Sequence, residues 1–298
     1  MIENYVLIIG AMKAGTTTLF DILGQHSKIA PCRNKEPGFF AFEEHWAQGF
    51  DWYEALFDFD SDLHRYGLDG STDYTKHPFC TGVAERLAAS APRRFKLIYL
   101  MRDPLKRLES QARHVQATGK EVGRTPSPRR DHGLDHGISP VAMAASRYAT
   151  QLEAFEAFRE RGDLLPMVFE ELFDGRRESF RPIFDFLDLE FEPHIRTDLA
   201  SNSFTQRRRR TETSWRLRGS RTFNRIPAIL KNAILRGLEP PLEVEGRFKL
   251  TAAEREALAD ALRPEMMRLR DVHGLDVERH WSSIPLGGAH DRRSESAR

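Results

Sequence analysis

The side chains best suited to chemistry fall in four short stretches of the 298-residue sequence. The first is Gly10-Ala11-Met12-Lys13-Ala14-Gly15-Thr16-Thr17-Thr18, which begins where the apolar run Tyr5–Ile9 stops. A buried strand that feeds a glycine-containing turn and then a helix aims backbone N–H groups and a positive dipole end at one point, which suits an anion. The common nucleoside-triphosphate loop carries its lysine directly after the second glycine, where it meets the β- and γ-phosphates beside magnesium. Here Thr16 holds that position and the lysine lies inside the turn, at Lys13. The expected ligand is a phosphate-bearing donor other than a magnesium nucleoside triphosphate.

A second anion candidate is Arg102-Asp103-Pro104 with Ser110, again where an apolar run, Phe95–Met101, gives way to a helix start. Pro104 suits a first helical turn, Asp103 can cap it, and Ser110 lies about two turns on. Arg102 and Ser110 can close on one phosphate, the guanidinium by a bidentate charge-assisted pair and the hydroxyl on a remaining lone pair. The competing arrangement pairs Arg102 with Asp103 or has it cap a loop. The third stretch, Asn34-Lys35-Glu36-Pro37-Gly38-Phe39-Phe40, sets a carboxylate and an ammonium beside apolar surface. Glu36 is a general-base candidate whose pKa is contested between desolvation and Lys35. The fourth, Asp69-Gly70-Ser71-Thr72-Asp73-Tyr74-Thr75-Lys76-His77-Pro78, is expected to line an acceptor site, with Tyr74 and His77 as contacts and His77 as the alternative base.

The elements that must position these groups read as βα alternation. Tyr5–Ile9, Phe95–Met101 and Leu164–Phe169 are apolar runs, each followed by helical spacing such as Leu105, Leu108, Ala112 and Val115, or Tyr148, Leu152 and Phe155. This predicts an α/β fold, a parallel sheet flanked by helices with its ligand beyond the carboxyl ends of the strands. Phe180, Ile183, Phe184 and Leu187 read as a core stripe, and Phe39, Phe40 and Phe42 as packing rather than ligand contacts. Thr251-Ala-Ala-Glu254 has the form of a capping box, with Pro264 opening another turn or kink. The expected organisation is one domain over 1–284, with an exposed loop at 119–139, a basic lid at 200–222 and a disordered tail at 285–298.

Formal net charge is only +1, so no bulk field draws the chain to nucleic acid or membrane. The first residues carry no basic-then-apolar leader and no window reaches 18 uninterrupted apolar residues, so a cytoplasmic location without a membrane span is expected. Cys32 and Cys80 are expected as reduced thiols. Asp131-His132 and Asp135-His136 lack a third anchored ligand, so no metal site is expected.

These motifs, in this order, resemble the sulfotransferases that use 3′-phosphoadenosine 5′-phosphosulfate (PAPS), especially their carbohydrate (heparan-sulfate-like) and bacterial branches. The resemblance runs from about Tyr5 to Leu189 and includes Ser146-Arg-Tyr148-Ala-x-Gln151-Leu and Phe169-Glu-Glu-Leu172. It implies a P-loop-NTPase-like architecture in which Lys13, Ala14, Gly15, Thr16, Thr17 and Thr18 hold the 5′-phosphosulfate and Arg102 and Ser110 hold the 3′-phosphate. Glu36 is then the implied base, Lys13 stabilises the leaving phosphate without a required metal, and Lys35, Tyr74 and His77 face a hydroxylated acceptor such as a sugar or small molecule. A basic loop over the nucleotide is implied by the family, and Asn202 to Arg210 is its candidate, with Arg209 as the donor contact. Ser71 is a departure, because some glycan-acting members carry a lysine there. Two rivals remain at this level: a magnesium-dependent kinase-like enzyme, and a non-catalytic polyanion binder acting through Arg207–Arg210.

Overall fold

The computed structural model describes residues 1–118, 120–122, 125–126, 138–199, 234–235, 237–238 and 248–286. The chain divides into two compact units, Met1–Leu199 with Phe248–Arg298, and Ala200–Arg247. All elements described below belong to the first. The expected lid at 200–222, with Arg207–Arg210, lies outside the described residues, as do Asp131–His136 and the tail beyond Leu286. Of that tail, Pro285 and Leu286 are described. Leu286 is buried, and the Pro285 carbonyl accepts from Arg263 Nε at 3.0 Å.

Five strands form one sheet in the order β2 (Ile29–Pro31), β3 (Tyr66–Asp69), β1 (Asn4–Gly10), β4 (Arg94–Met101) and β7 (Leu164–Val168). Every pairing is parallel. Apart from Asn4 every residue of β1 is buried, which is what a strand covered by helices on both faces requires. β1 and β4 run in register from Asn4 opposite Arg94 to Ile8 opposite Ile98, then slip by one so that Gly10 faces Tyr99. The slip falls where the strand must leave the sheet and turn. Pro166 is tolerated because β7 lies at the end of the strand order, where a missing N–H breaks no ladder on its open side.

Helix α1 (Thr16–Leu23) follows β1, and α5 (Pro104–Thr118) follows β4. Between them in sequence come the short helices α2 (Glu43–Trp46), α3 (Gly49–Glu54) and α4 (Val83–Ala88), and a 3-10 turn over Thr72–Thr75. Past α5 lie α6 (Pro140–Ala144), α7 (Tyr148–Glu153), α8 (Glu156–Glu160), α9 (Phe169–Leu172), α10 (Arg181–Phe186) and α11 (Ala252–Asp271). The Thr251–Glu254 capping box is made in full at the start of α11.

Several expectations change. β2 and β3 were not among the apolar runs; they are short, one holds a proline and the other a glycine, and pairing with β1 is what makes them strands. Pro264 neither ends nor restarts α11, which runs unbroken for 20 residues. The Tyr148–Phe155 stripe is split, since α7 ends at Glu153 and Phe155 precedes α8. The 119–139 segment opens with an antiparallel pair, β5 (Lys120–Val122) and β6 (Thr125–Pro126). Cys32 and Cys80 are both free, as expected, and burial pushes each thiol up to about 12. Among the described residues no helix is long and apolar enough to cross a membrane.

Candidate active site

The chemistry-bearing stretches all follow the carboxyl ends of adjacent strands. The Lys13 loop leaves β1, Arg102 follows β4, the Asp69–Thr72 turn leaves β3 and Glu36 follows β2, and these strands are consecutive in the order β2-β3-β1-β4. Parallel pairing thus opens all four on one edge of the sheet.

The loop is held chiefly through its backbone. Ala11 N donates to Leu100 O at 2.7 Å, and Ala14 N to Ala11 O at 3.1 Å. Lys13 has φ 73° and Gly15 φ 93°, both left-handed. For lysine that region costs roughly 1–2 kcal/mol, so surrounding contacts must impose it. At Gly15 a Cβ would lie 2.8 Å from the Phe169 ring. Gly15 offers no side-chain cap to α1, so the first-turn amides and dipole of that helix face the loop's interior. At Gly10 a Cβ would meet Thr75 Oγ1 at 2.0 Å, and that hydroxyl donates to Ile9 O at 2.7 Å.

Behind the loop stands Arg107, fully buried in α5. Its Nε donates to Ser146 Oγ at 3.0 Å and Nη2 to the same oxygen at 2.6 Å. Nη1 donates to Met12 O at 3.1 Å and to Gln111 Oε1, and Nη2 also to Ala142 O. Sequence reading passed over this residue, because a charge on a helix start reads as solvated; its only signal is the Arg107/Gln111 spacing of four.

Arg102 is half-buried with its guanidinium carbon 4.8 Å over the Phe169 ring. Its Nε is buried without a hydrogen-bond partner. Asp103 is engaged elsewhere: Oδ1 accepts from Leu105 N at 3.0 Å, Lys106 N at 3.1 Å and Ser283 Oγ at 2.9 Å. The carboxylate caps α5 rather than pairing with Arg102. Ser110 is half-buried on α5.

On the other flank Lys35 Nζ lies 2.6 Å from Glu36 Oε1 and 3.0 Å from Gly70 O. Thr72 Oγ1 stands 3.5 Å from Glu36 Oε2, and the Glu36 side chain is 43% exposed. The turn is pinned to Asp69, a fully buried carboxylate. Asp69 Oδ1 accepts from Ser71 N at 2.8 Å and Ser71 Oγ at 2.6 Å; Oδ2 accepts from Tyr74 at 2.6 Å and Tyr53 at 2.8 Å. Ser71 Oγ in turn accepts from Gly38 N at 2.9 Å. Tyr74, expected at the acceptor, is buried with its hydroxyl on Asp69, and burial pushes its pKa well above the usual range. His77 is exposed, its backbone tied both ways to the Gln151 amide at 2.9 Å. Lys76 and Asp73 form a buried ion pair at 2.6 Å. Phe39 and Phe40 are core, as their pattern predicted.

Known proteins resemble this chain in sequence and shape. A family model described as "Sulfotransferase domain" matches residues 3–225. The "Membrane-associated sulfotransferase kil1" of Dictyostelium discoideum is 30% identical over 166 residues, which is 55% of this chain and 33% of that protein. The match therefore spans about a third of that relative's length. A crystal structure of a sulfotransferase from Alicyclobacillus acidocaldarius superposes with a TM-score of 0.60 at 20% identity, covering 94% of this chain and 99% of that one. A mouse sulfotransferase, SULT7A1, solved with PAP, gives 0.50 at 14% identity, covering 91% and 87%. At such identities the structural likeness shows the fold: a parallel sheet flanked by helices, of the P-loop-NTPase-like kind.

Proposed function

This chain belongs to the sulfotransferase domain family, and on that premise we propose that it moves a sulfuryl group from PAPS to a hydroxyl of a sugar or small-molecule acceptor. The observation that carries the reading is the pairing of β1 with β4, which opens the Lys13 loop and Arg102 on the same edge, with Arg102 Nε buried and unpartnered. A buried guanidinium nitrogen without a partner is costly unless an anion completes it. In this reading Arg102 and Ser110 hold the 3′-phosphate, while Lys13 and the amides from Gly15 to Thr18 hold the 5′-phosphosulfate.

Sulfuryl transfer is in-line and loose, so positioning and charge stabilisation dominate. The acceptor oxygen bonds to sulfur as the bond from sulfur to the bridging phosphate oxygen breaks. The bond's electron pair leaves with adenosine 3′,5′-bisphosphate (PAP), where the Lys13 ammonium stabilises the growing charge. The acceptor proton goes to the Glu36 carboxylate, which Lys35 and Thr72 orient. Lys35 and His77 are the acceptor-side groups. Tyr74 lies behind the acceptor side, with its hydroxyl donating to Asp69 and accepting from Phe40 N.

Thermal unfolding with ligands tests the donor. PAP should raise the melting temperature and ATP with magnesium should not, because only a ligand of the folded state stabilises it. Protection by ATP and magnesium alone would overturn the reading in favour of a kinase-like enzyme. Protection by neither, with salt-sensitive polyanion binding that survives Lys13→Ala, would favour a binder acting through Arg207–Arg210. A cytoplasmic location is part of the proposal and is checked by cell fractionation.

A further inference from the structure

Arg107 touches no reacting atom in the reading above, yet its side chain bridges the Lys13 loop and the helix that carries Ser110. We infer that Arg107 is a positioning residue that locks the Lys13 loop to helix α5, so that the 5′ and 3′ phosphate subsites act as one rigid gauge for a donor carrying both groups. The inference rests on the proposed PAPS reading.

Three observations support it. First, every N–H of the guanidinium is used. One proton on Nε and two on each terminal nitrogen meet Ser146 Oγ twice, Met12 O, Gln111 Oε1 and Ala142 O. Ser146 completes the knot by donating its own proton to Ala142 O at 3.0 Å. A lysine, with three donors on a flexible stem, cannot reproduce that fork. Second, the contact to Met12 O fixes a particular peptide plane. The Met12–Lys13 bond is not among the cis peptides, and in a trans peptide the carbonyl and the following N–H point opposite ways. Holding Met12 O toward Arg107 therefore directs the Lys13 N–H to the other side and helps impose the left-handed φ of 73° on Lys13. Third, Arg107 lies between Arg102 and Ser110 in sequence, on the helix that carries Ser110 and that Asp103 caps. The same side chain thus sets the loop's orientation and the spacing from the loop to the Arg102/Ser110 pair.

The consequence is cooperativity between the donor's two ends. With both subsites held at a fixed separation, the first phosphate to bind places the second, and the entropy of ordering the site is spent once. Loosening the joint should cost most for a ligand that must satisfy both ends.

Calorimetric titration of wild-type protein and Arg107→Lys tests this with three ligands: PAP, adenosine 5′-monophosphate and adenosine 3′-monophosphate. The expected result is that Arg107→Lys weakens PAP by about ten- to a hundredfold, while either monophosphate weakens by a factor of about three or less. Ser146→Ala, which removes the oxygen shared by Nε and Nη2 but leaves the Met12 contact, should show the same ligand pattern at smaller amplitude, and it serves if Arg107→Lys does not fold. Equal weakening of all three ligands would mean that Arg107 only supports the fold, and unchanged PAP affinity would mean that it has no role in the joint; either overturns the inference while leaving the PAPS reading in place. Wild-type protein that does not bind PAP overturns that reading and this inference together.

Discussion

The two flanks of the cleft solve one problem with opposite charges. On the donor flank a buried cation, Arg107, gathers neutral oxygens and fixes the backbone of the Lys13 loop. On the base flank a buried carboxylate, Asp69, gathers hydroxyls and an amide and, through Ser71, fixes the backbone at Gly38. In neither case is the anchor the group assigned to the chemistry. Lys13 is half-buried and Glu36 is exposed, so both remain in touch with solvent. A charge taken out of water is expensive and tolerates no lost partner, which makes it a poor reagent and a good rivet. On each flank the buried charge holds backbone near the group proposed to react and stays out of the proposed chemistry itself.

The two flanks should separate most widely in their kinetics. Lys13→Ala is expected to lower kcat by about 10³-fold with the fold retained, since it removes the charge proposed to meet the leaving phosphate. Unchanged turnover would take Lys13 out of the mechanism. Glu36→Gln should lower kcat by about 10²-fold while PAP affinity stays put. If that variant instead weakened PAP as strongly as kcat, the flanks would not be separate in function.

A thermodynamic break comes next. Asp69→Ala strands the hydroxyls of Tyr53, Tyr74 and Ser71, and should reduce stability by about 3 kcal/mol in urea unfolding; a loss below about 1 kcal/mol would show that the buried carboxylate is not the anchor. Burial raises the Asp69 carboxyl above its ordinary value of 3.8, and bonds from Ser71, Tyr74 and Tyr53 oppose the rise. A raised value means that the folded chain holds this proton more tightly than the unfolded one. The Asp69 contribution is therefore most favourable below pH 3.8 and falls as pH climbs from 3.8 through the raised value. Asp69→Asn should remove that fall, seen as a pH-dependent difference between the two stability curves; parallel curves would refute it.

The smallest effect is expected from Ser71→Ala. It frees Gly38 N and should cost about 1 kcal/mol, with a few-fold drop in kcat as the Glu36 turn loosens. A drop in PAP affinity in place of kcat would assign Ser71 to the donor flank.

Much of the donor flank was readable because its signals are contiguous. Gly15 sits where a left-handed residue must end the loop, and the apolar runs of β1 and β4 stop just before Lys13 and Arg102. The alternative of an Arg102–Asp103 pair was open in the sequence and closed in the structure, where Asp103 turns to the α5 amides and Ser283. The base flank was less readable. Tyr74 stands in a polar stretch that reads as the lining of an acceptor site, and only the approach of Tyr53 and Asp69 sequesters its hydroxyl. β2 and β3, too short to announce themselves, exist because β1 offers them a ladder.

Local backbone preference and periodicity are enough to specify the α/β class, the strand-loop-helix at Lys13, the capped start of α5 and the capping box at Thr251. Each depends on residues within a turn or two of one another, where sterics and hydrogen-bond reach act without help from the rest of the chain. Tertiary structure decided which of the polar residues became anchors. Arg107 and Met12 are 95 residues apart, Ser71 and Gly38 are 33 apart, and only the parallel order of the strands brings each pair within hydrogen-bonding distance. Burial then converts those chance neighbours into obligatory partners, because a polar group withdrawn from water must be satisfied by whatever the fold has placed beside it.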